Sequence, residues 1–186
     1  MNAYTIIYSV GSALLLVGLY HRFQAARSDE PIDRQKEGWL LLVGIRLTAL
    51  ILAIVLYFAF RNPAPPNPAL QWAGTTGFVV SAAWLAWMFI SLGRNITDTV
   101  VTRRDAIFVS HGPYRYVRNP MYIGILGLGL ALAVVLGSWL AAVLTLACFT
   151  QLAIRTKIEE RYLVARFGDT YKAYISEVGR FWPYIL

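Results

Sequence analysis

The chain has 186 residues, of which 58% are hydrophobic and 15% charged, with a formal net charge of +7. Soluble domains run at roughly 45–50% apolar and about 25% charged, so this balance excludes an ordinary soluble fold. Where long uncharged blocks are present, the basic excess points to loops facing anionic lipid and the cytoplasm rather than to nucleic acid.

Ala3 to Tyr20 is the first apolar block, long enough to cross a bilayer and with no charged side chain before it, so it is read as a retained helix rather than a signal peptide. A polar loop, His21 to Gly38, leads to the second span, Trp39 to Phe60, whose one internal charge, Arg46, is expected to snorkel to the headgroups. Arg61 to Gln71 holds Pro63, Pro65, Pro66 and Pro68 and reads as a short stiff connector. Trp72 to Leu92 is the third span. Arg94 to Arg118 is the longest polar interval. Met121 to Leu136 and Trp139 to Ile154 follow, divided only by Gly137-Ser138, which predicts a tight helical hairpin. Gly124, Gly127 and Gly129 lighten the fourth span and allow a neighbouring helix or a ligand to come close. The tail is expected to stay helical to about Phe167, where Gly168 offers a stop, and Trp182-Pro183-Tyr184 reads as an interfacial anchor.

Lysines and arginines alternate by loop: four in the first, one in the proline connector, five in Arg94–Arg118, none at Gly137-Ser138 and six in the tail. Five spans with the amino end outside satisfy that pattern, and they place the Arg94–Arg118 loop and the tail together on the cytoplasmic face. The expected fold is a single all-α membrane domain over residues 1–186, with a cytoplasmic cofactor pocket between the loop before the fourth span and the C-terminal helix. The short chain points to a prokaryotic inner membrane.

Chemistry is sparse. Cys148 is the single cysteine and lies in an apolar block, and His21 and His111 are far apart, so no metal centre is expected. No Ser-His-Asp set, Cys-His pair or phosphate loop occurs, and the glycines at 124, 127 and 129 do not make a dinucleotide fingerprint. What stands out is the run from Gly112 to Gly124, dense in arginine, tyrosine, proline and glycine, where Pro113 and Pro120 forbid a continuous helix. The second feature is Arg155 and Glu159, four residues apart on one helix face, with Glu160 about 100° away. Taken singly, the run reads equally well as an aromatic anchor, and the pair reads first as a surface ion pair. A carboxylate, an arginine and a Pro/Tyr-rich loop suit a reaction in which a cofactor carries the chemistry and the protein supplies position.

Together the two segments resemble the isoprenylcysteine carboxyl methyltransferase family and its relatives, the phospholipid methyltransferases. The family pattern is Gly-x-Tyr, Arg-His-Pro-x-Tyr-x-Gly, an apolar hairpin, Glu-Glu-x-x-Leu, Phe-Gly and Tyr-x-x-Tyr. Here it reads Gly112, Tyr114, Arg118-Asn119-Pro120-Met121-Tyr122, Gly124, Glu159-Glu160, Leu163, Phe167-Gly168, Tyr171 and Tyr174, closing with Pro183, over roughly residues 93–186. Asn119 stands where the family often has histidine; it still hydrogen-bonds but does not ionise near neutral pH.

The resemblance implies a membrane methyltransferase using S-adenosyl-L-methionine on a lipophilic acceptor such as a prenylcysteine carboxylate. By position it implies cofactor contacts at Ala106, Ile107, Phe108, Val109, Tyr114, Asn119, Pro120, Met121, Tyr122 and Glu159. Arg155 is the implied substrate contact, and Arg155 with Glu159 the implied catalytic pair. A phospholipid amine, a small thiol or a volatile metabolite is an alternative acceptor. An NADPH-dependent membrane reductase, which shares an Arg-x-Pro-x-Tyr region, and a non-catalytic scaffold are the readings outside the class. The Glu159-Glu160 pair favours the methyl donor.

Overall fold

The structure, a computed structural model, describes residues 2–26, 39–62, 67–93 and 108–183. The described residues form helices α1 (Ala3–Ala26), α2 (Trp39–Arg61), α3 (Pro68–Leu92), α4 (Pro120–Leu136), α5 (Trp139–Phe167) and α6 (Asp169–Glu177), with a 3-10 turn at Gly112–Arg115 before α4. Among them the only strand-like pairing is an isolated parallel bridge between Val117 and Gly179. The fold is all-helical, as the apolar blocks predict. Four helices, α1, α2, α3 and α5, are long and apolar enough to cross a membrane, and α4 is an apolar helix of 17 residues. At 1.5 Å per residue α4 reaches about 25 Å, near the lower bound for a bilayer core.

The helices meet the sequence boundaries with instructive differences. α3 starts at Pro68 rather than Trp72, because Asn67 caps it, its side chain accepting from the Leu70 amide at 3.3 Å, and Pro68 fills the first helical position, where no N–H is needed. α1 continues to Ala26, beyond the apolar block. Gly137, in the left-handed conformation at φ 61°, closes α4, and Ser138 caps α5 through the Ala141 amide, so two residues suffice for the hairpin. α5 runs unbroken for 29 residues, about 43 Å, and carries the bilayer-length apolar segment and the Arg155–Glu160 segment on one rigid rod. Arg46 is exposed on α2, where the sequence placed a snorkelling arginine.

α3 and α4 share the most extensive interface; α1 rests on α3, α5 on α4, and α2 on α5. Ile7, Phe78, Ala131 and Val135 make one core between α1, α3 and α4, and Tyr122, Cys148 and Leu152 make another, against Ile45, Phe149 and Phe181. Outward faces carry Leu15, Leu16, Leu47, Leu50, Val80 and Ile90, the inverse of a soluble surface. Apolar burial gives helices little reason to associate in lipid, so close backbone approach matters more. A Cβ on Gly124 would stand 2.4 Å from Leu85 Cγ, one on Gly127 2.3 Å from Ser81 Oγ, and one on Gly129 2.5 Å from Thr145. The light residues of the fourth span are therefore packing surfaces against α3 and α5.

Gly74 and Gly77, one turn apart on α3, separate close packing from mere smallness. A Cβ at Gly74 would meet the Ala131 carbonyl at 2.9 Å and the Val135 amide at 3.1 Å, whereas one at Gly77 meets Ala131 Cβ at an ordinary 3.6 Å. Gly74→Ala is expected to destabilise by about 1–3 kcal/mol, since backbone cannot yield, and Gly77→Ala by much less. Thermal unfolding of both variants in the same detergent checks the difference.

Candidate active site

The segment before α4 is fixed from two sides. On the α3 side, Gly112 sits at φ 62°, and any side chain there would collide with Ser91, whose Oγ would be 2.1 Å from a Cβ. Trp84 Nε1 donates to the Pro120 carbonyl at 2.8 Å, and the Trp87 ring packs on Tyr116 at 6.1 Å. On the other side the tail pairs with it: the Arg118 amide donates to the Gly179 carbonyl at 2.9 Å and the Asn119 amide to that of Arg180 at 3.1 Å. The Tyr174 hydroxyl donates to the Tyr114 carbonyl at 2.6 Å.

Beneath this pairing lies an ionic triad whose centre is buried and whose outer member, Arg180, keeps an exposed edge. Arg118 Nε donates to Glu160 Oε1 at 3.0 Å, and Arg180 reaches both Glu160 oxygens, Nε to Oε1 at 3.1 Å and Nη2 to Oε2 at 2.6 Å. Arg118 Nη1 also donates to the carbonyls of Ile175 and Val178, at the negative end of α6. The Arg118 and Glu160 side chains are 3% and 10% exposed, so they are worth burying only as a satisfied set.

Glu159 faces elsewhere. The Tyr122 hydroxyl donates to its Oε1 at 2.7 Å, and Arg155 Nε lies 3.2 Å from the same oxygen. Both side chains of the Arg155–Glu159 pair are largely buried, which rules out the surface ion pair. One turn deeper, Gln151 Nε2 donates to Thr48 Oγ1 of α2 at 2.7 Å, extending a polar seam into the apolar segment. Toward the end of α5, Phe108 packs on Phe167, Tyr171 and Tyr174 at 5.2–5.8 Å. The Tyr114 phenol is raised above its ordinary 10 by burial first, then by Tyr174 and the negative charge of Glu159. Burial is likewise the first cause for Tyr171 and Tyr174, with the Glu160 charge contributing to both.

Of the residues singled out in the sequence, Tyr122, Arg155 and Glu159 meet directly, and Tyr114 lies near enough to feel the Glu159 charge. Phe108 stands in the aromatic cluster. Asn119 is half-buried, its Nδ2 donating to the Arg180 carbonyl at 3.3 Å, and Pro120 is buried under Trp84. Met121 is exposed, and Val109 half-buried in the lead-in. Ala106 and Ile107, like Arg103 and Arg104, lie outside the described residues. Spacing alone did not reveal Arg180, the role of Glu160, or the Tyr174 clamp. A largely buried carboxylate between a phenol and a guanidinium fits a cationic or hydroxyl-bearing ligand.

The phospholipid methyltransferase family model matches residues 69–170, more than half of the chain. Protein-S-isoprenylcysteine O-methyltransferase of Schizosaccharomyces pombe is 33% identical over 92 residues, 48% of this chain and 39% of that protein. The enzyme of the same description from Dictyostelium discoideum is 28% identical over 135 residues, 70% of this chain and 57% of its own. Among solved structures, the eukaryotic intramembrane Ras methyltransferase, isoprenylcysteine carboxyl methyltransferase, matches with a TM-score of 0.59 at 24% identity, covering 75% of this chain and 52% of that one. The chain spans about half the length of these relatives. The structural match shows a shared fold, and with the apolar helices it makes this a multi-pass membrane protein.

Removing one member of the triad strands the others. Arg118→Ala is expected to cost about 3–5 kcal/mol, the usual loss when a buried pair is broken. It should also open the tail to protease at residues 169–183, read as a lower melting temperature and a new carboxy-terminal cut. The phenols give a pH test. Tyr114, Tyr171 and Tyr174 hold their protons more tightly folded than unfolded, so their contribution is complete below about pH 10 and is lost as pH rises above it. Ultraviolet titration should show these three ionising only well above pH 10, with stability falling over the same range.

Proposed function

Because the chain belongs to the phospholipid methyltransferase family, we propose that it transfers a methyl group from S-adenosyl-L-methionine to the carboxylate of a lipophilic acceptor, of the prenylcysteine kind. The observation that carries this reading is the Tyr122–Glu159–Arg155 constellation, set where the apolar length of α5 ends. When bound, the donor supplies an electrophilic methyl on a positively charged sulfur.

The protein's part is to bind and orient. Glu159 accepts hydrogen bonds and its negative charge favours a cationic ligand, while Tyr122 fixes the carboxylate rotamer. Phe108, Tyr114 and the chain from Asn119 to Met121 supply apolar and aromatic surface for the rest of the donor, in the positions the family resemblance assigns. Ala106, Ile107 and Val109 are assigned to the same surface. Arg155 orients an acceptor carboxylate. Such a carboxylate is already ionised at pH 7, since carboxyl pKa values lie near 4, so no general base is needed. Methyl transfer to its oxygen makes an ester and leaves a neutral thioether, and the rate comes chiefly from alignment. A protonated amine acceptor would be repelled by Arg155 and would need a base, so the carboxylate is preferred. With the basic ends of the bundle facing the cytoplasm, the donor arrives from water and the acceptor sideways from the bilayer.

Calorimetric titration of the detergent-solubilised protein with S-adenosyl-L-methionine and with NADPH tests the class. Binding of the methyl donor in the micromolar range, weakened by Glu159→Ala at least about tenfold, is expected, as is typical when a charged hydrogen bond is removed. NADPH binding alone would make the protein a reductase, and binding of neither would leave a scaffold. Arg155→Lys is expected to lower activity on a farnesylated cysteine analogue with donor affinity unchanged. Full activity confined to water-soluble acceptors would overturn the lipophilic assignment.

A further inference from the structure

The side of α5 opposite Glu159 carries a second polar feature that the methyl-transfer reading leaves unused. Lys157, Glu160, Arg161, Val164 and Arg180 line an open groove of about 390 Å³. Lys157 and Arg161 are four residues apart on one face and exposed; Glu159, two from each, lies about 200° round the helix. Among the described residues the one carboxylate lining the groove, Glu160, is already held by Arg118 and Arg180, so Lys157 and Arg161 face outward with no further described acidic residue in the lining to neutralise them.

What lies below the groove identifies its occupant. Val143, Leu146 and Ile154 continue the same helical stripe toward the start of α5, each about half exposed, and Trp139, 76% exposed, begins it. From Trp139 to Lys157 the stripe rises about 27 Å, close to the roughly 30 Å of a bilayer's hydrocarbon core. It thus runs from an interfacial tryptophan, along a lipid-facing strip whose one hydroxyl, that of exposed Thr150, is satisfied by the Leu146 carbonyl at 2.9 Å, into a basic concavity at the opposite headgroup level. We infer that this face of α5 is a binding site for an anionic phospholipid, its acyl chain along Ile154, Leu146 and Val143 and its phosphate between Lys157, Arg161 and the exposed edge of Arg180. The site is separate from the Glu159 constellation and does not depend on its function.

Native mass spectrometry of the purified protein with phosphatidylglycerol and phosphatidylcholine of matched chains tests it. One phosphatidylglycerol should be retained in preference to phosphatidylcholine. The double variant Lys157→Gln, Arg161→Gln should lose about thirtyfold in affinity, the effect of two basic side chains at a lipid surface. The charge-conserving pair Lys157→Arg, Arg161→Lys should keep it. Arg166→Gln removes an exposed charge from the other side of the same helix and should leave retention unchanged. Equal retention of both lipids, an undiminished double variant, or an equal loss in Arg166→Gln would overturn the site in favour of diffuse attraction. Displacement of the lipid by millimolar inorganic phosphate would overturn it in favour of a soluble-anion pocket.

Discussion

Glu160 is the point on which the water-facing end of this molecule depends. Its two oxygens take three hydrogen bonds from Arg118 and Arg180, drawn from the loop before α4 and from the last described turn of the tail. A single buried carboxylate would be costly, and so would a buried guanidinium; the set is tolerable because each charge faces its opposite and the spare Arg118 donors meet helix-end carbonyls. The carbonyls of Ile175, in the last turn of α6, and of Val178, the residue that caps it, would otherwise be left at a helix terminus without intrahelical partners. The same contact therefore closes α6, ties the tail to the loop, and sets the parallel pairing of Val117 with Gly179.

Once that clamp is in place, the neighbouring glutamate is free to do something different. Adjacent residues on a helix point about 100° apart, so Glu160 turns into the protein while Glu159 turns toward Tyr122 and Arg155. Arg118 and Tyr122 repeat the division from the facing segment, the first reaching Glu160 and the second Glu159. Two acid–partner contacts in parallel fix the rotation of α5 against the start of α4. A small rotation of either would break both.

Much of this was legible in the sequence and some was not, for physical reasons. Uncharged blocks declare helices in lipid because the backbone must satisfy itself there, and the two-residue Gly137-Ser138 break leaves room only for a hairpin. The family pattern assigned Tyr122 and Glu159 to one site, but their direct hydrogen bond was not legible, since they stand 37 positions apart with a whole apolar hairpin between them. Arg180 was illegible. It lies 20 residues beyond Glu160, past two helix ends, and resembles any basic residue near a membrane surface. Its function as a partner exists only once α6 folds back. The start of α3 at Pro68 was missed because a proline-rich stretch reads as connector until Asn67 is recognised as a cap. Asn119, the departure from the family pattern, makes its side-chain contact to the Arg180 carbonyl through a donor that histidine also has, so the clamp does not require an ionisable group there.

The placement of charge along α5 bears on why the proposed chemistry needs so little acid–base equipment. Arg155 and Glu159 stand at the depth where α5 leaves its apolar length, largely shielded from solvent, and there electrostatic contacts are stronger than in bulk water. An arginine held by a carboxylate keeps its geometry at modest cost, because the pair is close to neutral. A methyl cation equivalent moving from sulfur to oxygen demands alignment and a dry surrounding more than it demands proton transfer. In the proposed reaction a rigid helix that carries its ion pair to the membrane border, braced from behind by the Arg118–Glu160–Arg180 set, would supply the alignment, and the aromatic cluster around Phe108 would supply a dry wall. That division of labour explains why the polar residues concentrate in two short segments while the rest of the chain is free to be apolar.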